Sequence, residues 1–143
     1  MHAVAAHVEQ LPIGAVAPGQ IPYVWPRVVP LLEKVVRVQT GYTIEATRLE
    51  LMFGELVLWV VGDFVAILLT AVQQRHSQKV LWVQFLAGED MPAWLDDWIV
   101  VMENYAKAEG CKAIEFAGRP GWMRLHRRYP EYRTTMTTYR REL

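Results

Sequence analysis

The sequence predicts one α/β domain of the α+β kind, a sheet flanked by helices in the order α-α-β-β-β-α-β-α-β. Three observations carry that expectation. Apolar residues recur at helical spacing in two stretches, 25–38 and 94–108. Between them, apolar runs rich in Val, Ile and Leu follow one another from 56 to 86. Gly, Pro or Asp stands where most of these segments stop or start.

Of the 143 residues, 52% are hydrophobic and 21% charged, enough apolar material for a single core without disulfides or structural metal. The one cysteine, Cys111, has no partner for an internal bridge, and no Cys/His cluster offers a closed zinc site, which fits a reducing compartment. Lys plus Arg and Asp plus Glu number 15 each, so net charge gives no pull toward nucleic acid or a membrane surface. The distribution is uneven. Residues 111–143 hold Lys112, Arg119, Arg124, Arg127, Arg128, Arg133, Arg140 and Arg141 against Glu115, Glu131 and Glu142. Such an excess is either a solvated outer face or a docking patch for an acidic partner.

Residues 1–22 read as an extended N-terminal arm ahead of a single domain at 23–143. No secretion signal is expected: Ala15-Val16-Ala17 resembles a cleavage site, but Glu9, Gln10 and Pro12 interrupt the apolar run and no basic region precedes it. Val4, Val8, Leu11, Ile13 and Val16 are too apolar for a solvated tail, so the arm is expected to dock on a neighbouring chain. Its removal is then expected to leave the domain folded.

From Trp25, the residues Val28, Leu31, Leu32, Val35 and Val38 share one helical face, with Arg27, Glu33, Lys34 and Arg37 opposite. Pro26 is tolerated in a first turn, Pro30 kinks or delays the start, and Thr40-Gly41 closes the helix. Thr43 caps a second, shorter helix that turns Ala46, Leu49, Met52 and Phe53 inward and stops at Gly54. The runs 56–61 and 64–72, broken at Gly62-Asp63, form an antiparallel hairpin; that break and Thr70 deny the stretch the roughly 20 apolar residues a membrane span needs. A third strand covers 80–86, with Trp82 and Phe85 as strand formers. Asp90 caps a long helix whose inner face is Trp94, Trp98, Val101, Tyr105 and Ala108, with Asp96, Asp97, Glu103, Asn104 and Lys107 outward and Gly110 at its end. A buried strand at 111–117, a tight loop at 118–121, a short basic helix at 122–128 and a final strand at 133–141 complete the chain.

From the first helix onward, about residues 25–143, this order is similar to the GCN5-related N-acetyltransferase (GNAT) fold. The most specific residues are Cys111-Lys112-Ala113-Ile114-Glu115-Phe116, then Gly118-Arg119-Pro120-Gly121-Trp122 and the run from Leu125 to Tyr132. With Val24-Trp25-Pro26-Arg27, Leu31-Leu32 and Tyr42-Thr43-Ile44 at the front, the chain resembles a GNAT-like variety encoded in tailed-phage genomes. The resemblance implies a mixed, mostly antiparallel sheet.

In active relatives the turn before the long helix carries a Q/R-x-x-G-x-G/A signature, whose glycines let backbone N–H groups reach the pyrophosphate of coenzyme A. Here that turn is Leu86-Ala87-Gly88-Glu89-Asp90-Met91-Pro92. Only Gly88 remains; Pro92 lacks a donor, and Glu89 and Asp90 set carboxylates where each close pair with a phosphate costs on the order of a few kcal/mol. Active relatives also carry a tyrosine on the last short helix that protonates the departing thiolate. The matching run Leu125-His126-Arg127-Arg128-Tyr129-Pro130 puts His126 at that place, with Tyr129 and Tyr132 nearby.

Two functions follow. The first is a catalytically degenerate GNAT-shaped protein without a cofactor, a virion-associated structural or protein-binding component in the host cytoplasm or the assembled virion. Its partners are other virion proteins or a second copy, met through Val4, Val8, Leu11, Ile13, Arg119, Trp122 and Arg124. The second is an active acetyl-CoA-dependent N-acyltransferase, with Ala87 and Gly88 meeting coenzyme A and His126 or Tyr129 as the acid. Nucleic-acid binding through the Arg-rich end is disfavoured, because those residues lack an aromatic strand motif. His2, His7 and His76 are isolated, no Gly-x-Ser-x-Gly or Walker loop occurs, and Trp94 and Trp98 read as core.

Overall fold

A computed structural model describes residues 11–36, 41–117, 125–133, 135 and 141–143, the side chains of Leu125 and His126 aside. Five strands form one sheet in chain order: β1 (Ile13–Val16), β2 (Val57–Val61), β3 (Ala66–Gln74), β4 (Lys79–Gly88) and β5 (Ala113–Phe116). The first four are antiparallel neighbours, and β5 runs parallel to β4. One face is covered by α1 (Ile21–Val36) and α2 (Ile44–Met52), the other by α3 (Met91–Ala108); a short α4 (Leu125–Arg128) follows. This is the mixed, mostly antiparallel sheet expected from the sequence. The expected final strand at 133–141 falls largely outside the described residues.

The expected arm is corrected from residue 11 onward. Ile13 to Val16 pair with Val61 to Leu58 as the edge strand β1, Leu11 and Ile13 pack on the α3-side core, and Ile21 is buried. Pairing with β2 satisfies backbone groups that a docked arm would have had to satisfy elsewhere. With Gly14 and Ala15 at its centre, the strand has too little apolar alternation to announce itself. The domain therefore begins before Trp25, and removing residues 1–20 would take a strand away.

The inner face of α2 is corrected as well: Thr47 and Leu51 are buried, whereas Ala46, Leu49, Met52 and Phe53, expected to point inward, are exposed. α1 also starts earlier than expected, at Ile21. Pro22, Pro26 and Pro30 fall every fourth residue on its exposed side, while Ile21, Val28 and Leu32 are buried opposite. Prolines stacked this way leave the carbonyls of Pro22 and Pro26 without helical donors, but on the face where water can supply them.

The sheet separates two apolar clusters. Trp59, Leu68, Leu81, Val83, Trp94, Trp98 and Met102 pack on the α3 side; Val28, Leu32, Leu51, Leu58, Ile67, Leu69 and Phe85 pack under α1 and α2. β4 changes allegiance midway. Val83 pairs with Thr70 but Phe85 pairs with Leu69, so Gln84 is an extra residue against β3. Without it the alternation would send Phe85 to the α3 side; with it, Phe85 and Ala87 face α1 and α2 while Leu86 turns to α3.

Candidate functional site

β5 pairs with β4 only from Val80↔Ala113 to Val83↔Phe116. Past the Gln84 bulge, β4 runs on to Gly88 with no neighbour on that side among the described residues. The parted strands lead to the 88–90 turn and the first turn of α3, where the resemblance puts a cofactor pyrophosphate. Trp82 Nε1 donates to Gln84 Oε1 at 2.8 Å on the opposite side of the strand from Val83.

The turn itself is occupied by its own structure. Gly88 has φ +147°, and a Cβ there would lie 2.4 Å from both Ala66 Cα and Ala66 Cβ and 2.5 Å from Val65 O. The close approach of the β2–β3 hairpin explains this glycine. Glu89 N–H donates to Val65 O at 3.1 Å, and Ala93 N–H to Asp90 O at 2.8 Å. Glu89 O accepts from Trp94 Nε1 at 2.7 Å.

Asp90 is not the side-chain cap expected of it. It sits in the left-handed region, φ 56° and ψ 34°, and its carboxylate accepts no capping hydrogen bond. A cap serves the amide two or three positions on. Here the second position is Pro92, which has none, and the third, Ala93, already bonds the Asp90 carbonyl. The same inventory bears on an anion: the Glu89 and Ala93 amides are committed, Pro92 has none, and two exposed carboxylates flank them, all of which oppose a pyrophosphate at this turn. Ala87 is buried against the α1 and α2 cluster, its side chain away from the α3 face.

The candidate acids stand apart from the turn. Tyr129 Oη donates to Asp96 Oδ1, and Arg128 Nη2 donates to Asp96 Oδ2 at 2.7 Å. Tyr132 Oη donates to Glu103 Oε2 at 3.1 Å; burial, reinforced by the Glu103 carboxylate, pushes its pKa above the ordinary tyrosine value. Both tyrosine hydroxyls donate hydrogen bonds to carboxylates on α3, and together with Arg128 they fasten residues 128–132 to that helix. His126 lies in α4 with its side chain outside the described part of the structure. Val4, Val8, Arg119, Trp122 and Arg124 also lie outside it, whereas Leu11 and Ile13 face their own core and not a neighbour. Asp96 was expected only as an outward helix residue; nothing local in the sequence signals a partner 33 residues away. Among the described residues no group of His, Cys, Asp and Glu could hold a metal ion, and no helix is long and apolar enough to cross a membrane.

No family model and no curated protein matches this chain. Solved structures do. The chain is similar to an aminoglycoside acetyltransferase from an uncultured soil metagenomic sample, in complex with sisomicin, at TM-score 0.68 and 15% identity over 93% of this chain and 96% of that one. It is similar to an aminoglycoside N-acetyltransferase in complex with CoA at TM-score 0.66 and 10% identity, covering 92% and 99%. A Trypanosoma brucei acetyltransferase gives TM-score 0.65 and 12% identity over 94% and 100%. At such identities the likeness is one of fold. The chain has a GNAT-like fold, with the mixed sheet and helix order of these acetyltransferases.

Proposed function

We propose that this GNAT-fold chain does not transfer acetyl groups and works as a protein-binding component. The observation that carries this reading is the turn 88–93, whose glycine serves the β2–β3 hairpin, whose Glu89 and Ala93 amides are committed, and whose Pro92 has none to give. The engagement of Tyr129 and Tyr132 with Asp96 and Glu103 supports it, since a thiolate acid would first have to leave its carboxylate. The resemblance to phage-encoded relatives implies the class of partner, a virion protein or a second copy of the chain.

The alternative is an acetyl-CoA-dependent acyltransferase with an irregular phosphate site. It is favoured by the part of β4 beyond Val83, which has no β5 partner among the described residues, and by the neighbour in complex with CoA. Titration calorimetry with acetyl-CoA separates the two. The expected result is no saturable heat at ligand concentrations up to about 1 mM, where even an affinity worth roughly 4 kcal/mol would register. Saturable binding tighter than about 100 µM, strengthened by Glu89→Lys or Pro92→Ala, would overturn the first reading in favour of the second.

A further inference from the structure

β1 is one edge of the sheet among the described residues, and the ladder fixes what it shows to solvent. Gly62 N–H donates to Pro12 O at 2.7 Å, so residues 12, 14 and 16 turn their backbone groups toward β2. The N–H and C=O groups of Ile13 and Ala15 therefore point away from the sheet. Edges of this kind are ordinarily blunted by charge, proline or a bulge. The sequence Ile-Gly-Ala-Val has none of these. Gly14 and Ala15 are exposed.

Apolar surface gathers at the end of this edge. Tyr23 is 79% and Phe53 76% exposed, with Leu49 and Met52 partly so. Leu49, Met52 and Phe53 follow an i, i+3, i+4 spacing along one helix face. α2 touches the Pro18–Gln20 turn and leads into β2, whose Leu58 pairs with Val16, so the patch lies where β1 ends.

We propose that β1 is the seam of a homodimer in which two copies pair antiparallel about a two-fold axis at Gly14. Ile13 and Ala15 of each copy exchange backbone hydrogen bonds with Ala15 and Ile13 of the other. The antiparallel direction sends the chain that precedes Ile13 in one copy beside the chain that follows Val16 in the other. In residues 1–10, counted back from Leu11 at up to about 3.3 Å per residue, Val8 can reach roughly 10 Å and Val4 roughly 23 Å, the first toward the partner's Pro18–Gln20 turn and the second toward the Tyr23 and Phe53 patch. That segment has a single charged residue, Glu9, and two copies with 15 basic and 15 acidic residues each meet no net repulsion. Such an interface is isologous, so it consumes both edges and closes at two. It stands whether or not the turn at Gly88 binds a cofactor.

Sedimentation velocity on the full chain, from about 1 to 100 µM, tests it. The wild type is expected at twice 16.5 kDa. Ala15→Pro removes an outward N–H that the β1–β2 ladder does not use, and should give a monomer with unchanged circular dichroism and a Tm that no longer rises with protein concentration. Val8→Asp and Phe53→Asp should each weaken association by about tenfold or more. A monomeric wild type overturns the proposal, as does an Ala15→Pro protein that folds and still dimerises. Should Ala15→Pro fail to fold, Val8→Asp and Phe53→Asp decide, and wild-type association in both overturns it.

Discussion

Two helices of this chain begin in opposite ways. α2 starts at Thr43, an extended residue (φ −129°, ψ 153°) whose Oγ1 accepts from Ala46 N–H at 3.1 Å. α3 starts at Asp90 in the left-handed region with no side-chain cap, its first turn closed by backbone and by Trp94 reaching back to Glu89 O. Both residues are good caps on paper. The difference is what comes before them. Thr43 follows Gly41 and Tyr42 and finds the Ala46 amide available to its side chain, whereas Asp90 follows a strand end pressed against Ala66 and Val65. Where a strand must stop, turn and enter a helix within three residues, neighbouring backbone takes the donors first, and side-chain capping and anion binding lose the same groups together.

The hardest test of this contrast is Gly88→Ala. If Gly88 is fixed by packing, the added Cβ at 2.4 Å from Ala66 Cα, at a positive φ, should cost about 3–5 kcal/mol in urea unfolding. Stability within roughly 0.5 kcal/mol of wild type would mean the hairpin contact is not what holds the turn. A finer test uses the caps. Thr43→Ala should lose about 1 kcal/mol, whereas Asp90→Gly should be neutral or gain a few tenths, because glycine takes the left-handed conformation without strain and no capping bond is lost. Equal losses at the two sites would erase the distinction.

The smallest effect expected at neutral pH, under about 1 kcal/mol, is that of Tyr132→Phe, since the Glu103 contact is partly exposed. Its pH signature is sharper. The folded Tyr132 keeps its proton above the pH at which the unfolded one loses it, so its contribution is complete below about pH 10 and is lost as pH rises beyond. Alkaline melting curves of Tyr132→Phe should therefore fall less steeply above that pH than wild type; parallel curves would show that the tyrosine does not titrate with folding.

Much of the fold was legible because it is written in strong periods. The Trp94 and Trp98 face of α3, the break at Gly62-Asp63 and the Thr43 cap each state their structure locally, and each is found where the sequence put it. Three things were not local. β1 is an edge strand whose two central residues are too small to pattern, so only pairing with β2 reveals it. The start of α1 was hidden by prolines that are harmless only because all three share the solvent face. The bulge at Gln84 looks like one more residue of an apolar run, and its effect is visible only as a swap of Phe85 and Leu86 between clusters. Of the candidate site, the single glycine and the paired carboxylates of Leu86–Pro92 could be read from the sequence; the capture of Tyr129 by Asp96 could not, because it depends on how distant segments meet.

The order of the sheet also sorts its strands by how far the chain must travel to make each seam. Val61 meets Ala66 and Gln74 meets Lys79 five residues on, but Val16 waits for Leu58 and Val80 for Ala113. Loop-closure entropy therefore weighs on both outer seams and hardly on the inner two. The β2–β3–β4 meander is the part of the sheet that can assemble first and open last, and amide exchange should be slowest there, rising toward β1 and β5 as two separately fraying borders.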